Sequence, residues 1–189
     1  MKLQILAILF FINLQAQENL EPKKFLEYLF KNTTEKVIYT EVYFHDFEEI
    51  TESLKYNSTL RNDTRNSESK KLPDSISLTN QELKYVMEQF QQNNGKKLSS
   101  SLIPNSKHIS RKKVDKIFSE KDKGWTYFNK NIGKKIYSFS KPVYLRNYSI
   151  CFFYFSSSCG SLCGGGGFSV YVKVDGNWYS YRSLSLWIS

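Results

Sequence analysis

The amino-acid sequence predicts an α+β fold in which a helical N-terminal half packs on a C-terminal antiparallel β-meander. Over residues 83–90, apolar side chains recur at intervals of three and four, which is the spacing of one helix face. From Ile136 onward, apolar and polar residues alternate instead, as in half-buried strands. The change of period predicts a mainly helical part over residues 17–135 and a meander over residues 136–189.

The composition favours one globular domain. The chain has 189 residues, of which 40% are hydrophobic and 16% aromatic, enough to form a core. The 24% of charged residues argues against disorder. No uninterrupted apolar run of about 18 residues is present, which excludes an ordinary transmembrane helix.

The N-terminal half yields five elements and one loop. Pro22 opens a predicted helix over residues 22–31, and the β-branched and aromatic residues 36–44 predict a strand. A short helix is expected over residues 46–54, followed by a polar loop over residues 56–74. Thr79 and Glu82 form a capping box before the clearest helix, and Ser110 is expected to cap another short one.

Five strands are predicted in the C-terminal part, at residues 136–139, 143–145, 149–155, 168–174 and 178–184. Asp175-Gly176 is a strong signal for a hairpin turn. The glycine run at residues 164–167 suggests a phosphate-binding loop, but that motif needs a following helix, and a strand pattern follows here. We therefore expect these glycines to form a flexible hairpin loop.

The first sixteen residues are typical of a signal peptide. Lys2 precedes an apolar run at residues 3–14, and Ala16 offers a cleavage position. A buried N-terminal helix is the alternative. The Lys-, Asn- and Ile-rich composition indicates a bacterial protein in which glycosylation sequons arise by chance. We expect residues 17–189 to form an exported, periplasmic or extracellular protein.

Export favours oxidation of the cysteines. A hairpin centred on residues 161–162 puts Cys159 and Cys163 on either side of its tip, which predicts a disulfide between them. Cys151 lies eight residues earlier, roughly 26 Å along a strand, and is expected to fill the core beside Phe153 and Phe155. The chain lacks the usual C-x2-C pair of zinc sites, and we expect neither a metal nor a cofactor.

Catalytic candidates are few. Asp46 and Glu49 belong to an acidic cluster that could supply paired carboxylates, and His45 lies next to it. The alternative is a solvated acidic face. No nucleophile elbow or other recognisable catalytic context accompanies either histidine.

Positive charge is concentrated in residues 105–146, which hold twelve basic and three acidic residues, while residues 17–104 carry a net charge of −2. Such an excess attracts anionic polymers. For an exported protein these are anionic polysaccharide, lipopolysaccharide or extracellular DNA. The alternative is a basic surface that reflects composition alone. The candidate binding residues are Lys107, Arg111, Lys112, Lys113, Lys116, Lys134 and Lys135.

The C-terminal part, from Phe139 to Ser189, contains CGSLCGGGG, followed by a strand, the hairpin GNW and a final WIS. In these motifs it resembles small exported proteins of Gram-negative, low-GC bacteria that have no established activity. The resemblance implies export and a β-rich end, and it carries over no catalytic residue.

These observations predict an exported, non-catalytic binding or accessory protein. A small extracytoplasmic hydrolase that uses Asp46, Glu49 or His45 is the alternative.

We predict that residues 1–16 are absent from the mature protein, because the apolar run has the length and flanks of a signal peptide. The intact mass of protein recovered from the periplasm or the medium measures this directly. A cytoplasmic product that retains Met1 would contradict the prediction.

Overall fold

The computed structural model describes residues 20–44, 47–56, 58–63 and 71–189. In chain order the elements are α1 (20–30), β1 (Val37–Glu41), α2 (Phe47–Tyr56), β2 (Thr59–Arg61), β3 (Ser75–Ser77), α3 (Asn80–Asn93), β4 (Ser106–His108), α4 (Arg111–Ser119), α5 (Gly124–Asn131), β5 (Ile136–Phe139), β6 (Val143–Leu145), β7 (Ile150–Gly160), β8 (Cys163–Val174), β9 (Asn177–Ser183) and β10 (Trp187–Ile188). The predicted signal peptide lies outside the described residues.

The predicted fold class is wrong, because one mixed sheet of eight strands draws on both halves of the chain. Its order is β10-β8-β7-β5-β1-β4, with β6 also paired to β7 and β9 to β8. Strand β1 is parallel to both β4 and β5, and the other pairs of this sheet are antiparallel. Helices and strands are interspersed before Ile136, so the described N-terminal half is not a separate helical layer.

The sheet is covered on both faces. Phe153 of β7 packs with α1, and the preceding Phe152 packs with α3, as the alternation of strand side chains requires. Helices α4 and α5 cover the β1–β5 part of the α3 face through Ile38 and Ile136. The described residues thus form three layers, with α1 and the segment from Leu98 to Ile103 on one face.

A buried ion pair attaches α1 to the sheet. Glu21 contacts the ammonium group of Lys173 on β8, and Lys173 also lies 5.3 Å from the centre of the Trp178 ring. Burial alone raises the pKa of the Glu21 carboxyl, but the lysine beside it outweighs burial and the pKa is lowered. A buried charge with its partner in place is tolerated, whereas an unpaired one is costly.

The glycine run lies within strand β8, which corrects the expected flexible loop. Gly166 pairs with Ser156 of β7 on one side and with Trp187 of β10 on the other. A Cβ atom at Gly166 would overlap Ser156, and one at Gly167 would overlap the carbonyl oxygen of Ser185. These glycines are required by the close approach of neighbouring backbones and not by loop flexibility.

Several local predictions agree with the structure. The capping box of Thr79 and Glu82 is present, and β5 and β6 have the predicted bounds. The turn between β8 and β9 has φ angles of 50° at Asp175 and 79° at Gly176. Positive φ at both positions is the type I′ hairpin pattern.

Other elements differ from the prediction. The region expected to be a loop over residues 56–74 contains strand β2, whose Leu60 is fully buried. Strands β7 and β8 are longer than predicted and extend to the turn at residues 161–162. Strand β4 and helix α5 have no counterpart in the prediction.

Replacing Gly167 by alanine tests the packing role of the glycine run. The added methyl group meets backbone and cannot rotate away, so we expect Gly167→Ala to lower the free energy of unfolding by at least about 2 kcal/mol. Gly160→Ala is the matched control, because its Cβ would lie 3.7 Å from the Cβ of Cys163, an ordinary contact. Urea unfolding of both variants provides the measurement, and equal stabilities would contradict this account.

Candidate polyanion-binding surface

Helix α4 turns its lysines outward because its apolar residues are confined to one side. Val114 and Ile117 are buried against Ile38, Ile109 and Phe128. The exposed residues of the helix include three lysines, Lys112, Lys113 and Lys116, together with Asp115 and Ser119. With Lys107 these residues form what we call the basic surface.

Lys107 joins this set through strand register. In the parallel ladder its Cα is paired with Ile38, whose side chain packs under α4 and α5. Paired residues of adjacent strands point to the same face, so Lys107 lies on the α4 face of the edge strand β4. The basic surface is therefore built from two consecutive elements at one edge of the sheet.

The other three predicted binding residues lie in different surroundings. Arg111 flanks the basic surface, but its Nε donates to Asp115 Oδ1 at 2.8 Å, which offsets its charge. Lys134 is exposed. It follows Gly133, whose backbone lies against the side chain of Ile38. Lys135 lies elsewhere, with its ammonium group 5.8 Å from the ring centre of Tyr137 on the α1 face.

Two further cations of the 105–146 segment are also separated from α4. The guanidinium of Arg146 donates to both oxygens of Glu82 at 2.7 and 3.1 Å and to the Ser77 carbonyl at 2.7 Å. This arginine lowers the pKa of the Glu82 carboxyl to about 2. Lys141 lines a cavity of about 460 Å³ beside Lys97 and Pro22.

Glu41 at the end of β1 fixes the start of α4. Its Oε1 accepts a hydrogen bond from the backbone N–H of Arg111 at 3.0 Å, and its Oε2 accepts one from His108 Nε2 at 2.7 Å. Ser110, the predicted cap, makes no side-chain cap bond. A carboxylate is favourable at a helix N-terminus, so a residue seventy positions earlier takes the role that the sequence assigns to Ser110.

Burial alone raises the pKa of the Glu41 carboxyl. The hydrogen bonds from Arg111 and His108 outweigh burial and hold that pKa below its ordinary value. Glu41 thus joins β1, β4 and α4 through one ionised group. No sequence motif links these residues, which explains why sequence reasoning missed the contact.

A shallow groove of about 400 Å³ adjoins the first turn of α4, lined by Tyr43, Arg111, Lys112 and Asp115. Tyr43 is 45% exposed and offers an aromatic ring beside two cationic side chains. Rings next to cations suit ligands that combine anionic groups with sugars or bases.

The catalytic candidates of the sequence lie outside the part of the chain that the structure describes. This holds for His45 and Asp46 and for the side chain of Glu49. Within the described ranges, no group of three or more His, Cys, Asp and Glu side chains is arranged to hold a metal ion. None of the described helices has the length and apolar composition needed to cross a membrane.

Cys159 and Cys163 are joined at disulfide distance across the tip of the β7–β8 hairpin, with their Cα atoms 5.2 Å apart. Cys151 forms no disulfide and is fully buried in the cluster that contains Phe25, Phe139 and Phe153. Burial raises the pKa of its thiol well above the ordinary value, which disfavours the nucleophilic thiolate form.

Comparison with known proteins gives no family for this chain. No protein-family model matches it, and neither does any curated protein or solved structure.

We predict that Glu41→Gln destabilises the protein by about 1–2 kcal/mol at neutral pH, because it removes a charged acceptor from two hydrogen bonds. The folded pKa of Glu41 is lowered, so its contribution is present above the ordinary carboxyl pKa and is lost as pH falls through the folded value. The difference between the wild type and the variant should therefore shrink below about pH 4.5.

Urea unfolding from pH 7 to pH 3 measures this difference. Glu88→Gln, on the exposed side of α3, is the matched control and should change stability by less than about 0.5 kcal/mol. A Glu41→Gln effect that does not vary with pH would contradict the role of the ionised carboxylate.

Proposed function

We propose that this protein is an exported, non-catalytic accessory protein that binds anionic polymers through the basic surface. The observation that carries the proposal is that Lys107, Lys112, Lys113 and Lys116 are all exposed on the consecutive elements β4 and α4. The expected ligands are anionic polysaccharide, lipopolysaccharide and extracellular DNA, whose shared chemistry is a repeating negative charge.

The spacing of the lysines supports this proposal. Lys112 and Lys116 are four positions apart, and Lys113 and Lys116 are three positions apart. Residues at both spacings are neighbours on the surface of a helix. Neither Lys112 nor Lys113 has a carboxylate within 4.0 Å among the described residues. Their charges are therefore available to an external anion, whereas the charges of Arg111 and Arg146 are offset within the protein.

The anchoring of α4 also supports the proposal. Because Glu41 and the apolar cluster around Ile117 hold the helix against the sheet, binding would not have to order the backbone that carries the lysines. Affinity would come mainly from displaced counterions and would carry no sequence preference. The Tyr43 groove supplies a ring that can stack on a sugar or a base.

We predict that the combined variant Lys112→Glu, Lys113→Glu, Lys116→Glu binds polyanions weakly. Titration of a DNA duplex at several salt concentrations gives the slope of log affinity against log salt, and each lost phosphate contact reduces that slope by about 1. We therefore expect a loss of roughly 2–3 units in slope and the same loss for a duplex of unrelated sequence. Lipopolysaccharide and heparin should show a parallel loss.

The matched control carries the same change of charge on exposed lysines outside β4 and α4, at Lys55, Lys84 and Lys96. Circular dichroism confirms that both variants are folded. If the two variants lose affinity equally, the net charge and not the basic surface governs binding, and the proposal is wrong.

A further inference from the structure

Strand β10 forms an edge of the sheet with unusually exposed apolar side chains. Leu186 is 69% exposed and Ile188 is 89% exposed, and Trp187 between them is 41% exposed. Edge strands are usually protected by charge, by proline or by a covering element, since an open edge can pair with another chain. Residues 183–189 contain no charged side chain and no proline.

The register of the ladder shows which backbone groups of β10 face outward. Ser189 N–H donates to the Gly164 carbonyl, and Trp187 is paired with Gly166 two residues further along β8. Because alternate residues of an antiparallel strand bond to the same neighbour, Trp187 and Ser189 direct their backbone groups to β8. Leu186 and Ile188 direct theirs away from β8, and in the described residues no strand pairs with that side of β10.

Charge is sparse around β10, with Arg182 on β9 four residues before Leu186. Residues 149–172, which cover all of β7 and most of β8, contain no acidic or basic side chain. The basic surface lies beyond β4, at the opposite end of the strand order. With strands about 4.8 Å apart, five spacings separate β10 from β4 by roughly 24 Å. Two positively charged copies can therefore approach through β10 with little repulsion between their lysines.

We propose that β10 pairs with β10 of a second copy of this chain, giving a two-fold symmetric dimer with one continuous sheet. Antiparallel pairing centred on Trp187 sets Leu186 of one copy against Ile188 of the other, so that the outward backbone groups of both residues are satisfied. The two Trp187 residues then form the non-hydrogen-bonded pair of the ladder, and each indole stays over its own sheet, where its Nε1 donates to the Tyr154 hydroxyl at 3.3 Å.

The size of the interface sets the expected strength. Three large apolar side chains with the backbone of a short strand bury on the order of 400 Å² per copy, roughly 800 Å² in total, which is typical of weak complexes. The dimer should therefore form at micromolar and higher concentrations. The dimer contact does not use the basic surface, and a dimer would present two basic surfaces to one polymer and so bind it with higher avidity.

Sedimentation equilibrium of the purified chain over about 5–500 µM tests the proposal. We expect the weight-average mass to rise with concentration towards twice the monomer mass. Ile188→Lys should keep the protein monomeric throughout this range, because it puts like charges beside each other in the paired strands. Tyr85→Lys is the matched control, because Tyr85 is 43% exposed on α3 beside β6, which lies on the other side of β7 from β8 and β10.

Two results would overturn the proposal. One is a chain that remains monomeric at the highest concentration, which would leave the edge to a strand from a different protein. The other is self-association that survives Ile188→Lys, which would assign the contact to another part of the surface. Circular dichroism of both variants establishes that they are folded, since both substitutions are at the surface.

Discussion

The β7–β8 hairpin is the constraint on which the other strands depend. Its strands have eleven and twelve residues, and they are long enough for β7 to accept β5 and β6 end to end while β8 accepts β9 and β10. The hairpin can lie between these neighbours only because the glycines of β8 allow the backbones of Ser156 and Ser185 to approach. The remaining strands of the sheet, β1 and β4, follow beyond β5 on the β7 side of the hairpin.

The same strand order separates charge from apolar surface. At one edge, β4 and α4 carry exposed lysines, and the carboxylate of Glu41 connects both elements to β1. At the other edge, β10 carries exposed apolar residues and no charge. A polyanion and a second copy of the chain would therefore meet different edges of one sheet, and binding of one would not block the other.

Features that depend on neighbouring residues could be predicted from the sequence. The capping box at Thr79, the bounds of β5 and β6 and the turn at Asp175-Gly176 depend on a few adjacent residues each. The predicted fold class is wrong because parallel pairing joins segments that are distant in the sequence, such as Tyr39 with His108. The local pattern of apolar residues does not show which strands will pair. Strand β4 is also short and polar, so it has no strand pattern.

The candidate site was predictable only in part, for the same reason. The lysines of α4 are visible as a charge run beside apolar residues at helical spacing. The chain then crosses the sheet, which takes Lys135 to the α1 face and Arg146 to the carboxylate of Glu82. The contact of Glu41 with Arg111 spans seventy residues and leaves no trace in the local sequence. Charge content could thus be predicted, but its distribution over the surface could not.

The central claim is that the lysines of β4 and α4 act as one binding surface. A nuclear magnetic resonance titration with heparin, which follows every backbone amide, tests it most directly. The account predicts that shift changes concentrate at residues 107–116 and at Tyr43, and that they disappear at high salt. Changes of equal size at Lys23, Lys84 and Lys96, or changes centred on another part of the chain, would contradict it.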